Sequence, residues 1–366
     1  MDKPSTRIWA VASAVMLVAM IAVNGLANAL PLNGVNTGQL SDELPNLFVP
    51  AGLTFSIWGL IYALLVGYVA AALAAAFGKP GASAWRPIDG ALFCANAALN
   101  VAWILAWHWR LLVASMIVML GILGTLVAMM EAGRSRRYPG RASRFFLREP
   151  VLVYLGWICV ATIANATALL VRYGWDGFGL SDRSWTVVVI AAGAAIGVAL
   201  VIARGAVASG LVVIWAYAGI VMKRQAADPG ASLPIIVAAY VAIAALAVAI
   251  VSRLTRARRA DAAADGDGAP PRERLDGYLD DVKRNNVILQ LALREIDEGE
   301  LVAALAGLDD ESRAAVYRNL SKRAAEVVVA ELGRRLPSIE RPAVEAGLAR
   351  FRRLIADRSD IDEDAY

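Results

Sequence analysis

Five asparagines stand in apolar stretches where an amide is costly: Asn24, Asn28, Asn96, Asn100 and Asn165. Asn24 and Asn28 are four residues apart, as are Asn96 and Asn100, so each pair shares one face of a helix. Trp58, Trp103, Trp107 and Trp157 run through the same stretches, with Tyr62 and Tyr154. Two chemistries fit this set. The amides bond across helices while the rings pack between them, or the rings wall a cavity in which a few amides meet a flat, largely apolar ligand.

Other chemistries have little to build on. No Asp, Glu or Lys falls deep in an apolar stretch, so no proton relay or ion-coupling carboxylate is expected. There is no paired acid and base and no Gly-rich phosphate loop, and an enzyme is not expected. One histidine excludes a multi-histidine metal site. His108 reads either as an axial haem ligand or as an interfacial imidazole between Trp107 and Trp109. Cys94 and Cys159 have neither metal nor redox spacing. No cofactor is required.

The chain has 366 residues, 58% of them hydrophobic, against about 45–50% for an ordinary soluble domain. The excess lies in residues 1–253, while 254–366 have ordinary charge density. The net charge of +4 averages these two parts and does not point to nucleic acid. Eight stretches are long and apolar enough to span a bilayer, near 8–30, 51–77, 88–107, 111–130, 151–171, 184–203, 205–222 and 233–251. The first is too long for a signal-peptide core. The segment 31–50 lacks Lys and Arg, whereas 131–150 carries six arginines and Arg253, Arg256, Arg258 and Arg259 follow the last span. Basic loops stay cytoplasmic, so both termini are expected there. Tryptophans 9, 85, 109, 175 and 185 suit an interfacial belt. Residues 254–274 read as a flexible linker. Beyond it Leu289, Leu293 and Ile296 suit one helix face, and Leu301, Ala304, Leu305 and Leu308 another. Asp309 or Asp310 and Ser321 are candidate caps, Gly333 and Pro337 are stops, and 360–364 reads as an acidic tail.

The stretch 48–62, from Phe48-Val49-Pro50-Ala51-Gly52 to Trp58 and Tyr62, resembles the second helix of the TspO/MBR family, the tryptophan-rich sensory proteins. Leu99-Asn100-Val101-Ala102-Trp103 with Trp107 resembles its third helix, and Tyr154, Trp157, Ala161 and Asn165 its fifth. Residues 210–220, around Trp215 and Tyr217, look like the seventh span of longer bacterial members. Ala51, Leu53 and Val153 depart from the family pattern, and the insertion 31–47 is longer than the short family's loop. The resemblance implies a five-helix fold, binding of tetrapyrroles such as haem or protoporphyrin or of sterol-like lipids, roles in transport or sensing, and a homodimer. By it the pocket candidates are Trp58, Tyr62, Asn100, Trp103, Trp107, Trp157 and Asn165. It also implies a porphyrin-degrading activity in some members, for which no residue set here calls.

Residues 285–358 are similar to the C-terminal domain of the flagellar motor switch protein FliG, above all at Arg318-Asn319-Leu320-Ser321-Lys322-Arg323-Ala324-Ala325. The charged ridge through which FliG meets the stator keeps a basic position at Arg323. Its lysine falls on Ala306 and its acidic pair on Ala330 and Glu331. The resemblance implies a docking or scaffold role, with Arg323 and Glu331 as candidate partner-binding residues.

The expected fold class is all-α: a polytopic bundle of about eight transmembrane helices, with a small soluble all-α domain at the C-terminus. The TspO-like core is placed at 1–175, three further spans at 176–253, the linker at 254–274 and the FliG-like domain with its tail at 275–366. The expected function is a receptor or transporter of the bacterial inner membrane for a flat apolar ligand, with porphyrin or haem as the candidate. The alternative is a membrane anchor presenting the FliG-like domain to a cytoplasmic complex. Membrane lipid, a hydrophobic small molecule and a cytoplasmic protein are the expected partners.

Overall fold

A computed structural model of the chain describes residues 3–30, 32–35, 37–44, 46–78, 85–134, 136, 138, 141–266, 282–336 and 338–357. Two compact units divide after Arg253. Among the described residues both are helical and neither contains a strand.

In the first unit, eight helices are long and apolar enough to cross a membrane. They are α1 (Lys3–Ala29), α3 (Ile57–Phe77), α4 (Pro87–His108), α5 (Leu112–Arg134), α6 (Arg141–Arg172), α7 (Asp182–Arg204), α8 (Val207–Ala227) and α9 (Leu233–Gly266). A short helix, α2 (Thr37–Asp42), lies between α1 and α3, and the 3-10 turn Gly52–Ser56 leads into α3. Local chemistry sets these limits. Pro87 opens α4 with φ preset, and the Asp89 carboxylate accepts from the Arg86 amide at 2.8 Å. Gly205 ends α7 in the left-handed region at φ 63°, so α8 starts two residues later.

Two expected boundaries move. Residues 131–150 are mostly helix, because α5 runs to Arg134 and α6 begins at Arg141 instead of 151. Arginine is a good helix former, so the helix extends past its apolar part. Likewise α9 continues through the start of the expected linker to Gly266, since Ala-Asp-Ala-Ala-Ala favours helix until glycine and proline arrive. Residues 267–274 lie outside the described residues.

Two helices organise the packing. α4 lies against α1 and α5, and α6 lies against α5, α3 and α8. The α6–α8 crossing is close: a Cβ on Gly156 would meet the Ser209 backbone at 2.7 Å, and Ser209 Oγ donates to the Leu152 carbonyl at 2.6 Å. α8 also grips the 3-10 turn. The Ala51 amide donates to the Gly219 carbonyl and Trp215 Nε1 to the Thr54 carbonyl, both at 3.0 Å. At the α4 start, Asp89 pairs with Arg136, both side chains almost fully buried. Beside them burial raises the pKa of the Tyr138 phenol. Trp85 is buried against Gly90 and does not join an interfacial belt.

The second unit contains α10 (Val282–Glu295), α11 (Glu298–Ala306), α12 (Asp310–Arg318), α13 (Lys322–Arg335) and α14 (Arg341–Ala356). Leu289, Ile296, Leu301, Ala304, Leu305 and Leu308 are buried as their spacing predicts, against Val344, Leu348 and Phe351. Leu293 is only partly buried. Asp309 caps α12 by accepting from the Ser312 amide at 2.9 Å, and Ser321 caps α13 by accepting from Ala324 at 3.2 Å. Gly333 does not stop α13, which runs on to Arg335. Pro337 and the acidic tail 360–364 lie outside the described residues.

Candidate functional site

Four of the five intramembrane asparagines, those whose side chains are described, bond between helices. Asn24 Nδ2 on α1 donates to Asn100 Oδ1 on α4 at 2.7 Å, and Asn100 Nδ2 donates to the Tyr154 hydroxyl on α6 at 2.7 Å. Asn165 on α6 accepts from Trp103 Nε1 at 3.0 Å and bonds Ser115 on α5. Asn96 donates to Thr125 Oγ1 at 2.8 Å. These asparagines are buried, as the cost of a free amide in hydrocarbon demands. The side chain of Asn28 lies outside the described residues.

The aromatic rings converge at the same level. Trp58 stacks on Tyr62, with centroids 5.5 Å apart, and meets Tyr154 and Trp157 edge-on at 5.8 and 6.3 Å. Phe55 meets Trp157 edge-on at 5.8 Å, and Trp103 stacks on Trp107 at 5.7 Å. Between these groups lies a hollow whose wall includes Trp58, Asn100, Trp103, Trp107, Trp157 and Asn165. Tyr62 packs behind Trp58 and is not part of that wall. The hollow has a cavity volume of about 60 Å³. That is well below the roughly 300–1,000 Å³ of a typical small-molecule site.

One side of the hollow is closed by the 31–50 segment, which contributes Thr37, Ser41, Val49 and Pro50. Three ties hold this strap to the end of α4. Asn33 Nδ2 donates to the His108 carbonyl at 3.0 Å, Trp107 Nε1 donates to the Thr37 carbonyl at 3.4 Å, and Arg110 pairs with Glu43 at 2.9 Å. Thr37, Ser41 and Phe55 were not foreseeable as wall residues from residue type alone. Thr37 Oγ1 is a buried hydroxyl with no partner among the described residues. His108, the last residue of α4, is fully buried, and its Nδ1 donates to the Ile104 carbonyl at 2.8 Å. It does not line the hollow. Among the described residues no group of His, Cys, Asp or Glu could hold a metal ion.

The wall residues Trp58, Asn100, Trp103, Trp107, Trp157 and Asn165 are among those on which the sequence resembles the TspO/MBR family. The family model of TSPO-like proteins matches residues 10–252, two thirds of the chain and all but the ends of the membrane unit. The chain belongs to this family. In this TSPO-like protein the match includes α7, α8 and most of α9 as well as the five helices that build the hollow.

Residues 279–357 match the model of the FliG C-terminal domain. The flagellar motor switch protein FliG of Thermotoga maritima is 39% identical over 61 residues, 17% of this chain. The chain spans only 18% of that relative's length. No solved structure matches the chain. In this FliG-like unit Arg323 is exposed near the start of α13. The Glu331 carboxylate is engaged within its own helix by Arg334 and by Arg335, the latter at 2.6 Å.

Proposed function

We propose that the membrane unit is a TspO-type receptor or transporter that binds a flat apolar ligand, a tetrapyrrole or a sterol-like lipid, in the aromatic hollow. The observation that carries this reading is the convergence of four tryptophans from α3, α4 and α6 on one space. Both amides are already bonded to protein and act by bracing the wall: Asn165 holds the Trp103 indole, and Asn100 holds Tyr154, which meets Trp58 edge-on. A macrocycle requires more room than the hollow's 60 Å³, so binding goes with lifting of the strap and parting of the rings. The reading includes no catalysis and no resident cofactor. It places the protein in a bacterial inner membrane with both termini cytoplasmic, and a homodimer is the oligomer in keeping with the family.

Titration of the purified protein with protoporphyrin IX tests it, with tryptophan emission as the readout. Saturable quenching is expected, with affinity lowered at least tenfold by Trp157→Ala combined with Asn100→Ala. Equal affinity in that folded variant rejects the hollow as the site.

A second reading is favoured by the FliG-like unit, whose packing residues are present while most of the charged ridge is not. It makes the membrane unit an anchor that presents residues 275–366 to a cytoplasmic protein complex, with Arg323 and Glu331 at the contact. A tagged protein should then gather where flagellar motors assemble. Even distribution in cells with and without motors rejects the motor as that complex.

A further inference from the structure

The helical turn that sends Phe55 and Trp58 toward the hollow sends Ser56 and Ile57 into a different space. Ile57 and Leu60 of α3, Val153 of α6, and Ala208, Leu211 and Trp215 of α8 wall a groove of about 370 Å³. That volume lies within the range of small-molecule sites. We infer that this groove holds one acyl chain of a membrane lipid.

Three observations lead there. First, the groove is continuous with the lipid-facing surface, since it lies between spanning helices and its wall residues Leu60, Leu211 and Trp215 are 52%, 54% and 41% exposed. What it opens to is hydrocarbon. Second, it offers almost nothing polar. Ser56 carries its one hydroxyl, and the Trp215 indole N–H is spent on the Thr54 carbonyl at 3.0 Å. Such a wall has no place for a carboxylate or a headgroup but suits methylenes, each gaining dispersion contacts along three helices. Third, the groove cannot close by sliding α8 inward. On one flank Gly156 already lies against the Ser209 backbone, and on the other the Ala51–Gly219 and Trp215–Thr54 bonds fix the distance to the 3-10 turn. An apolar space of this size does not fill with water, and adjacent lipid tails enter it at no polar cost. The inference is independent of what the hollow binds.

The test uses the full chain in vesicles of phosphatidylethanolamine and phosphatidylglycerol, doped with a phosphatidylcholine bearing a diazirine in one acyl chain. After photolysis, labelled residues are located by peptide mass spectrometry. Labelling at Leu60, Leu211 and Trp215 is expected several-fold above that at Val15, Ile117 and Val241, which are 62%, 66% and 64% exposed on other lipid-facing surfaces. Ala208→Trp fills the groove and should bring the excess at Leu60 down to that level. Should this variant not fold, Leu60→Trp asks the same from the opposite wall, read at Leu211. Even labelling around the bundle, an excess unchanged in a folded filling variant, or cross-links from Leu211 to a second copy each overturn the proposal.

Discussion

Asn24 and Asn100 hold each other side chain to side chain at 2.7 Å across α1 and α4, and Asn100 passes the link on to Tyr154 of α6. One amide thus ties three spans. Asn100→Ala leaves the Asn24 amide and the Tyr154 hydroxyl short of a partner inside the bundle. Interhelical hydrogen bonds in membranes are worth about 0.6–1.7 kcal/mol each. A loss of roughly 1–3 kcal/mol is expected by reversible unfolding in detergent, and Asn24→Ala, which removes one link, should cost less. Equal losses would mean the chain does not run through Asn100.

The strap over the hollow gives a kinetic prediction. Glu43 and Arg110 are both about half exposed, so their pair contributes only about 0.2–1 kcal/mol to stability. Glu43→Ala should hardly move the unfolding midpoint, yet it removes one of three ties holding the strap. Stopped-flow mixing with protoporphyrin IX should show faster association, with the effect fading in the wild type as salt screens the same pair.

Gly219 leaves no room for a side chain, because a Cβ there would collide with Thr54. Gly219→Ala must push α8 from the 3-10 turn and stretch the Ala51–Gly219 bond. Overpacking of this kind costs about 1–3 kcal/mol. Combining it with Thr54→Gly should restore part of the loss, as thermal unfolding of the single and double variants would show.

The buried Asp89–Arg136 pair is another fixed point. Asp89→Ala removes the carboxylate paired with the buried Arg136 guanidinium and also uncaps the Arg86 amide. Removing one partner of a buried pair costs about 3–5 kcal/mol. The variant should therefore accumulate poorly in membranes, whereas Asp89→Ala with Arg136→Met should accumulate better than Asp89→Ala alone.

Much of the site was legible because asparagine and tryptophan are conspicuous in hydrocarbon. Trp58, Trp103, Trp107 and Trp157 were readable from type and position, and so was the inward aim of Asn100 and Asn165. That both amides are consumed by neighbouring spans was not, because partners such as Ser115 and Tyr154 are fixed only when helices cross. Tyr62 shared the pattern but stacks behind Trp58, one ring removed from the space. Thr37 and Ser41 come from a segment without periodicity, placed by contacts to the end of α4. The span count followed from hydropathy. The start of α6 and the end of α9 did not, because hydropathy reports where a bilayer ends and a helix of arginine and alanine does not have to end there.

The wall of the hollow contains no ionisable side chain. An uncharged guest, such as a sterol-like lipid, would carry no charge through the bilayer's electric field on entering this lining. Membrane voltage, worth about 2.3 kcal/mol per elementary charge for each 100 mV, therefore has nothing in this lining to grip.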